Sequence, residues 1–399
     1  MAATVSLLGD GFFTVALAWQ VYEISNVPTA LSVVSIAWTL PLVAMLLLGG
    51  VFTDRYDRRR LMIGADLVRA AAIGMIGLLS VAGVLELWQI MILIAFVGLG
   101  DAFFNPASTA IVPDLLPDAS LPQANALQGL IRPLMIRLLG PAIGGFVIAG
   151  LGPGTAFLVD GATFLVSAVA LAGIAARPAA AVAAGWRQTL GEVREGLDFV
   201  RAHAWLWATL LSAMFSLLAF VGPVQVLLPF LVKNRLELGP EALGLIFSVS
   251  GIGSIVAAVV MGQRGLPRRK ITVMYASWTL GVAAMAGYGI MGALWQAMAV
   301  AFVTAAMFQV GQIIWITLLQ QLVPRRLLGR VASLDWLLSS GLVPVSFALT
   351  APAAELLGPG TTMVAAGLIG AFLMGILLFA PHVRDPERDP GPAAVERSS

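Results

Sequence analysis

Long runs of apolar residues, separated by short polar segments, recur along the whole chain. Each run reaches about twenty residues, the length that a helix needs to cross the hydrocarbon core of a bilayer. The runs are longer than barrel strands, and unpaired backbone groups are costly in hydrocarbon, so the runs predict helices. They lie at 3–24, 29–52, 61–84, 88–111, 123–150, 154–176, 205–232, 241–263, 270–291, 294–319, 332–357 and 361–381. The pattern therefore predicts an all-α polytopic membrane protein with twelve transmembrane helices.

The composition supports a membrane protein and disfavours several classes of enzyme. Apolar residues make up 59% of the chain and charged residues only 11%, against about 25% charged residues in soluble domains. The chain has no cysteine, which excludes disulfides, thiolate metal sites and cysteine nucleophiles. The two histidines, His203 and His382, lie outside the apolar runs. We therefore expect no metal, no cofactor, no nucleic-acid partner and no enzymatic activity.

Basic residues are distributed unevenly between the two sets of loops. Most of the 23 lysines and arginines follow spans 2, 6, 8 and 10 or lie in the tail, while the opposite loops hold only Lys233 and Arg235. By the positive-inside rule, both termini are expected in the cytosol. The first run lacks the features of a cleavable signal peptide and is interpreted as a span. We expect a multi-pass protein of a plasma membrane of the bacterial inner-membrane type.

The chain is predicted to consist of two related halves. Thr29–Gly50 and Glu241–Gly262 agree in length, in their Ala-Leu start and in their closing glycine, and Leu-Gly-Pro-Gly-Thr introduces the sixth helix of each half. The predicted parts are an N-terminal six-helix bundle at 1–176, a cytosolic linker at 177–204, a pseudo-symmetric C-terminal six-helix bundle at 205–381 and a cytosolic tail at 382–399. Apolar residues at helical spacing in the linker predict an amphipathic helix on the membrane surface, although a solvated connector explains them equally well.

The segment GGVFTDRYDRRR (Gly49–Arg60) resembles the signature between helices 2 and 3 of the major facilitator superfamily. The matching positions are Gly50, Asp54, Arg55, Arg58 and Arg59. Asp57 stands where the family usually has glycine. The resemblance implies a cytosolic latch between the bundles, closing against the start of helix 11 near Asp335. The alternative is a positively charged anchor without a gating role.

Helix 5 carries a glycine- and proline-rich element, LLGPAIGG (Leu138–Gly145). Gly140 and Pro141 permit a kink, and Gly144 and Gly145 allow close packing against another helix. The element resembles one associated with exporters of the antiporter type. Ordinary packing between membrane helices is the alternative explanation.

Four further segments resemble the branch of the superfamily that includes enterobactin exporters and macrolide-efflux proteins, so the resemblance covers essentially the whole chain. The segments are Ser6–Leu17, Gly64–Ala70, Phe103–Leu127 and Val323–Leu334. The resemblance implies secondary-active export of an amphipathic small molecule, drug-like or siderophore-like, usually driven by protons. Two features depart from the family: the chain begins almost within its first span, and the helix 4 arginine of many proton antiporters is absent near Ile94.

Ionisable residues inside the spans are concentrated in the first half, where they must face the interior and find partners. The candidate coupling network consists of Asp10, Asp66, Arg69, Asp101, Arg132 and Arg137. Either these groups form static ion pairs, or one carboxylate changes its protonation state as the bundles rock. Asp10 and Asp101 are the better coupling candidates, because Asp66 has Arg69 one helical turn away. Asp160 is interpreted as structural.

The second half offers amides and aromatic rings instead. The candidate residues of a substrate cavity are Gln225, Gln309, Gln312 and Trp315. Such a wall suits an amphipathic ligand. The sequence thus favours an exporter that works as a monomer in the lipid bilayer, coupled to protons or another ion. The alternatives are uptake or uniport by the same fold, or a membrane-embedded enzyme or lipid-handling receptor.

Overall fold

The structure, a computed structural model, describes the backbone of residues 2–112, 120, 127, 131–173 and 186–388. Side chains are described over the same ranges except at 2–4, 46–55, 110, 186–193, 325, 326, 329, 333, 336, 340 and 388. Within these ranges the chain forms helices joined by short turns and contains no strand. The all-α prediction is confirmed.

The first half of the chain contributes six spanning helices, α1 to α6, of which α5 begins with a π-helical turn. Their bounds are α1 Ala2–Ile24, α2 Pro28–Arg55, α3 Arg58–Val81, α4 Leu87–Ala110, α5 Leu134–Leu139 continued by Gly140–Leu151, and α6 Pro153–Ala172. The π turn immediately precedes Gly140 and Pro141. The predicted irregularity of helix 5 is therefore present, because Pro141 has no N–H group for a regular helical hydrogen bond.

The second half begins after a linker helix, Trp186–Ala202, and contributes α7 to α12. Their bounds are α7 Ala204–Gly222 continued through a π turn (Pro223–Leu227) into Leu228–Asn234, α8 Pro240–Arg264, α9 Lys270–Ala284 continued by Ala286–Ile290, α10 Leu294–Leu322, α11 Arg325–Gly341 continued by Val343–Leu357, and α12 Pro359–Ile376. Eleven helices of the described chain are long and apolar enough to cross a membrane. The twelfth, α9, is interrupted at Met285.

The repeated Leu-Gly-Pro-Gly-Thr motif adopts the same backbone in both halves. Gly152 before α6 and Gly358 before α12 have φ angles of 80° and 83°, a region that favours glycine. Pro153 and Pro359 follow at the first position of each helix, where the missing N–H has no helical partner to lose. This equivalence supports the internal repeat inferred from the sequence.

Contacts divide the chain into two compact units. The first unit comprises Met1–Ala183, Gln225–Gly251 and Thr350–Pro352, and the second comprises Ala184–Val224, Ile252–Leu349 and Ala353–Ser399. In the first unit α1 packs against α5 and α6, α2 against α4, and α3 against α4 and α6. In the second, α9 packs against α10 and α12, and the linker helix packs against α11. The domain boundaries that the sequence suggests, which assign all of 205–381 to one bundle, stay a prediction.

Candidate functional site

Three ionisable side chains form a buried group on α3 and α4, here called the ion cluster: Asp66, Arg69 and Asp101. Arg69 pairs with Asp66 through Nη2, and its Nη1 lies 3.1 Å from Asp101 Oδ1. The Arg69 and Asp66 side chains are 5% and 0% exposed, whereas the Asp101 side chain keeps 17% of its surface. Charges that are removed from water in this way require partners of opposite charge, and Arg69 is the partner of both acids.

Aromatic rings and a glycine hold the Arg69 guanidinium in place. The rings of Phe104 and Phe164 lie 4.1 and 4.3 Å from the guanidinium carbon, which gives two cation–π contacts. A Cβ atom at Gly100 of α4 would lie 2.8 Å from Arg69 Cγ, so a larger residue there would displace the arginine side chain. Many proton antiporters of the family have an arginine on helix 4, whereas this chain has the fully buried Ile94 there. The arginine that contacts α4 here is Arg69, which belongs to α3.

Trp38 on α2 is the second donor to Asp101. Its indole Nε1 lies 3.0 Å from Asp101 Oδ2, so each oxygen of this carboxylate accepts a hydrogen bond, one from Trp38 and one from Arg69. Trp38 also makes an edge-to-face contact with Phe13 of α1 at a centroid distance of 5.6 Å. The ion cluster is therefore joined to the wall of a neighbouring cavity.

This cavity, here called the aromatic cavity, lies within the first unit. Its wall is mostly apolar and aromatic and has no ionisable side chain. The lining residues are Phe13, Thr14, Leu17, Ala18, Leu31, Ser35, Trp38, Gln225, Pro229 and Phe247. Gln225, predicted from the sequence as a cavity residue, is exposed here. Pockets with a few polar groups in an apolar wall are typical of sites for amphipathic ligands.

Two further acids lie near the ion cluster. Asp10 on α1 is half-buried and interacts electrostatically with Arg69, Asp101 and Arg132. Asp160 on α6 is fully buried, and its Oδ1 lies where a Cβ atom of Gly9, the neighbour of Asp10, would be. The structure therefore brings Asp160, which the sequence analysis kept apart, beside α1.

The two remaining candidates of the coupling network are not paired with the ion cluster, although Arg132 interacts electrostatically with Asp101. The side chains of Arg132, just before α5, and of Arg137, in its π turn, are exposed. Neither forms a salt bridge within the described residues. Of the six predicted members, the structure joins Asp66, Arg69 and Asp101 directly.

The glycines of the helix 5 element lie at close helix contacts. A Cβ atom at Gly140 would lie 2.7 Å from the Cα atom of Gly11, and one at Gly144 would lie 2.9 Å from the Cα atom of Phe12, both on α1. On another face, Gly145 approaches the start of α8 at Pro240 and Gly244. These contacts explain why small residues are required here. An exporting role of the element stays a prediction.

The latch motif is described only in part, because the side chains of Asp54 and Arg55 lie outside the described residues and only the backbone of Gly50 is described. Asp57, the departure from the family pattern, caps α3 by accepting the backbone N–H of Arg59 at 2.9 Å. The Arg59 side chain donates to the carbonyls of Leu171 and Ala172 at 2.8 and 2.5 Å, a favourable place for a cation at the C-terminus of α6. The gating role of the motif, including Arg58, stays a prediction.

The candidates in the second unit have different surroundings. Trp315 is 3% exposed, packs between Trp205 and Trp278, and donates to Asp335 Oδ2 at 3.1 Å. Gln309 is half-buried and Gln312 is exposed. The structure thus places Trp315 inside an aromatic core, and its role as a cavity residue stays a prediction.

Sequence reasoning missed Trp38, Phe104 and Phe164. A signal for Trp38 was present: tryptophan is typical of the membrane interface, but Trp38 lies ten residues inside α2. A tryptophan at that depth has an N–H group that needs a buried acceptor. No comparable signal distinguishes Phe104 and Phe164 from lipid-facing phenylalanines.

Comparisons with known proteins place the chain in a family. A family model described as a transmembrane secretion effector matches residues 1–392. The multidrug efflux pump Tap of Mycolicibacterium fortuitum is 28% identical over 395 residues, covering 96% of this chain and 95% of Tap. Macrolide efflux protein A of Streptococcus pyogenes is 23% identical over 389 residues, covering 96% of this chain and 94% of that protein.

The fold agrees with this placement. The inward-open structure of the xylose transporter XylE from E. coli superposes with a TM-score of 0.66 at 12% identity, covering 94% of each chain. The predicted resemblance to the major facilitator superfamily and the predicted twelve-helix fold are confirmed. The chain belongs to the transmembrane secretion effector family of the major facilitator superfamily, and it is a membrane transporter, not an enzyme.

Proposed function

We propose that this transporter exports an amphipathic small molecule, drug-like or siderophore-like, by secondary-active transport coupled to protons. The observation that carries the proposal is the hydrogen bond between Trp38, a residue of the aromatic cavity, and Asp101 of the ion cluster. An apolar, aromatic cavity suits the ligand, and a largely buried carboxylate that is hydrogen-bonded to the cavity wall suits the proton.

Asp101 is the member of the ion cluster that best suits the binding and release of a proton. Asp66 is completely buried and is held by Arg69, so a proton has no direct path to it from the cavity. Asp101 keeps part of its surface and contacts the cavity residue Trp38. Asp10, half-buried on α1, is the second candidate. Gln225 and the other lining residues of the aromatic cavity contact the exported molecule.

The direction of transport is inferred from the relatives. Tap is named a multidrug efflux pump, and macrolide efflux protein A is named for the export of macrolides. The glycine- and proline-rich element of α5 is consistent with this direction. Transport proceeds by alternating access, in which the bundles at 1–176 and 205–381 rock around the substrate. The motif at Gly50–Arg59 and Asp335 latches them on the cytosolic side, where both termini lie.

The proposal is tested by transport in proteoliposomes that contain the purified protein and one compound of a panel of siderophores, macrolides and dyes. A pH jump creates a proton gradient of either direction. We expect uphill movement of at least one compound only when protons flow in the opposite direction. Asp101→Asn or Asp10→Asn, judged folded by size-exclusion chromatography, is expected to abolish the gradient-driven movement.

Asp198→Asn is the matched control, because it removes a carboxylate of the linker helix that is 63% exposed. It is expected to retain gradient-driven transport. Transport that is unchanged by the gradient and by both intramembrane substitutions would contradict proton-coupled export. Movement in the same direction as the protons would show uptake by the same fold.

A further inference from the structure

Trp38 both lines the aromatic cavity and bonds to the ion cluster. Its ring forms part of the wall of the aromatic cavity and contacts Phe13 edge to face, and its N–H group is the donor to Asp101 Oδ2 at 3.0 Å. The side chain is half-buried, so it is accessible to a molecule in the cavity. A change in the position of this one ring therefore alters the hydrogen bonding of the carboxylate.

The chemistry of the aromatic cavity defines what occupies it. Its wall has no ionisable side chain, and burial of an unpaired charge there would be costly. Phe13, Trp38 and Phe247 offer ring surfaces. Gln225 is exposed and makes no hydrogen bond within the described residues, so its amide is available as donor and acceptor. The matching ligand group is an uncharged ring with one hydrogen-bonding substituent.

The carboxylate of Asp101 is surrounded by charged groups on several helices. Arg69 and Asp66 interact with it from α3, Asp10 from α1, Asp160 from α6 and Arg132 from just before α5. Trp38 is the neutral donor among these neighbours. Asp101 accepts hydrogen bonds from Arg69 and from Trp38. Of these two donors, only Trp38 lines the aromatic cavity, so the bond from Trp38 is the one that a neutral ligand can change.

We propose that Trp38 couples occupancy of the aromatic cavity by an uncharged ring to proton binding at Asp101. It acts as a positioning residue: a ring that packs against Trp38 shifts the indole, and loss of its N–H bond changes the relative stability of the ionised and protonated carboxyl group. By linkage, protonation of Asp101 then changes the affinity of the cavity for the ring by the same factor. This inference rests on the proposed function and adds the residue that joins ligand and proton.

The test observes Trp38 directly and requires no knowledge of the natural substrate. The protein is labelled with 5-fluorotryptophan, reconstituted in nanodiscs, and followed by ¹⁹F NMR between pH 5 and 9. The Trp38 resonance is assigned by its loss in Trp38→Phe. We expect this resonance to move with pH in the wild type and to become independent of pH in Asp101→Asn.

A ligand ring is introduced covalently, which is possible because the native chain has no cysteine. Thr14→Cys places one thiol at the exposed edge of the aromatic cavity, and benzyl methanethiosulfonate attaches an uncharged ring to it. We expect the label to move the midpoint of the Trp38 titration by at least about half a pH unit, roughly a threefold change in proton affinity. Reduction with dithiothreitol is expected to restore the original midpoint.

Trp88 provides a matched internal control, because its indole also donates to a carboxylate, Glu86, at 2.6 Å, but at the exposed end of α4. Its resonance is expected to respond neither to Asp101→Asn nor to the label, and the folding of each variant is checked by size-exclusion chromatography. The proposal would be overturned if the Trp38 resonance did not change with pH or titrated equally in Asp101→Asn. It would also be overturned if the resonance did not respond to a label whose attachment is verified by mass spectrometry. Since the readout involves no transport, this failure is distinguishable from failure of the export assay.

Discussion

The two units bury different chemistry in their interiors. In the first unit Arg69 pairs with Asp66 and Asp101 where α3 packs against α4. In the second unit α9 and α10 instead contribute Trp278 and Trp315 to a core of aromatic and aliphatic residues that also includes Trp205. Each unit nevertheless contains an indole that donates to a carboxylate, Trp38 to Asp101 at 3.0 Å and Trp315 to Asp335 at 3.1 Å.

The difference lies in what else the two carboxylates contact. Asp101 is paired with Arg69, whereas Asp335 has Ser339 at 3.5 Å and forms no salt bridge within the described residues. The second unit shows that helices of this fold pack around a neutral core. Buried charges are costly inside a membrane, and this cost is the reason for which we propose a role in transport for those of the first unit.

Removal of the central cation should have the largest effect on stability. Arg69→Met leaves Asp66 and Asp101 buried without their partner, which typically costs about 3–5 kcal/mol. We expect a correspondingly large loss in the free energy of unfolding, measured by titration with sodium dodecyl sulfate. The triple variant Arg69→Met/Asp66→Asn/Asp101→Asn should recover part of this loss, because no charge remains unpaired.

Arg194→Met is the matched control for this prediction. Arg194 also pairs with an acid on its own helix, Asp198, but its side chain is 85% exposed. Exposed pairs of this kind contribute little to stability. Equal losses for Arg69→Met and Arg194→Met would show that the ion cluster is not essential to the first unit.

The indole bond of the second unit should have the next largest effect. Trp315→Phe removes the donor to Asp335 and is expected to cost about 2 kcal/mol, a usual value for a hydrogen bond to a charged group. Trp295→Phe, at an exposed ring, should leave the free energy of unfolding unchanged. A Trp315→Phe protein as stable as the wild type would mean that the neutral core does not depend on this bond.

A smaller effect is expected at the contact between α5 and α1. Gly140→Ala introduces a Cβ atom within 2.7 Å of the Gly11 backbone, and overpacking of this kind should destabilise the protein by about 1.5 kcal/mol. Gly74→Ala is the control, because a Cβ atom there meets nothing within 4 Å. The two variants are compared by thermal unfolding in detergent, and identical curves would contradict the close packing of α5.

The smallest effect is expected where the linker helix meets α11. Glu195 pairs with Arg330, but the two side chains are 41% and 28% exposed, so Glu195→Gln should cost less than about 1 kcal/mol. Limited proteolysis of the linker should be nearly unchanged. A strong increase in cleavage would show that this pair holds the linker helix in place.

The elements of the fold were predictable because each span is long and apolar. The spacing of apolar runs gave the helices, and the repeated Leu-Gly-Pro-Gly-Thr correctly indicated equivalent turns before α6 and α12. The interruption of α9 at Met285 was not predictable, since its apolar run continues across the break. Local sequence determines whether a segment is helical, but tertiary packing determines where a helix bends.

The candidate site was predictable only in part. Arg69 and Asp66 are one helical turn apart, so their pairing follows from sequence spacing. The bond between Trp38 and Asp101 joins α2 and α4. It depends on how these helices are rotated about their axes, which cannot be predicted from a local sequence pattern. The burial of Trp315 likewise depends on contacts with Trp205 and Trp278 that are distant in sequence.

The most direct test of proton coupling in the first unit compares Asp101 with Asp335, the carboxylates that accept a hydrogen bond from Trp38 and from Trp315. Asp101→Asn and Asp335→Asn are each reconstituted in proteoliposomes, and substrate movement is measured with and without a proton gradient. We predict that Asp101→Asn loses the response to the gradient but still exchanges substrate across the membrane, while Asp335→Asn retains the response whatever its rate. A gradient response that persists in Asp101→Asn and disappears in Asp335→Asn would contradict the account.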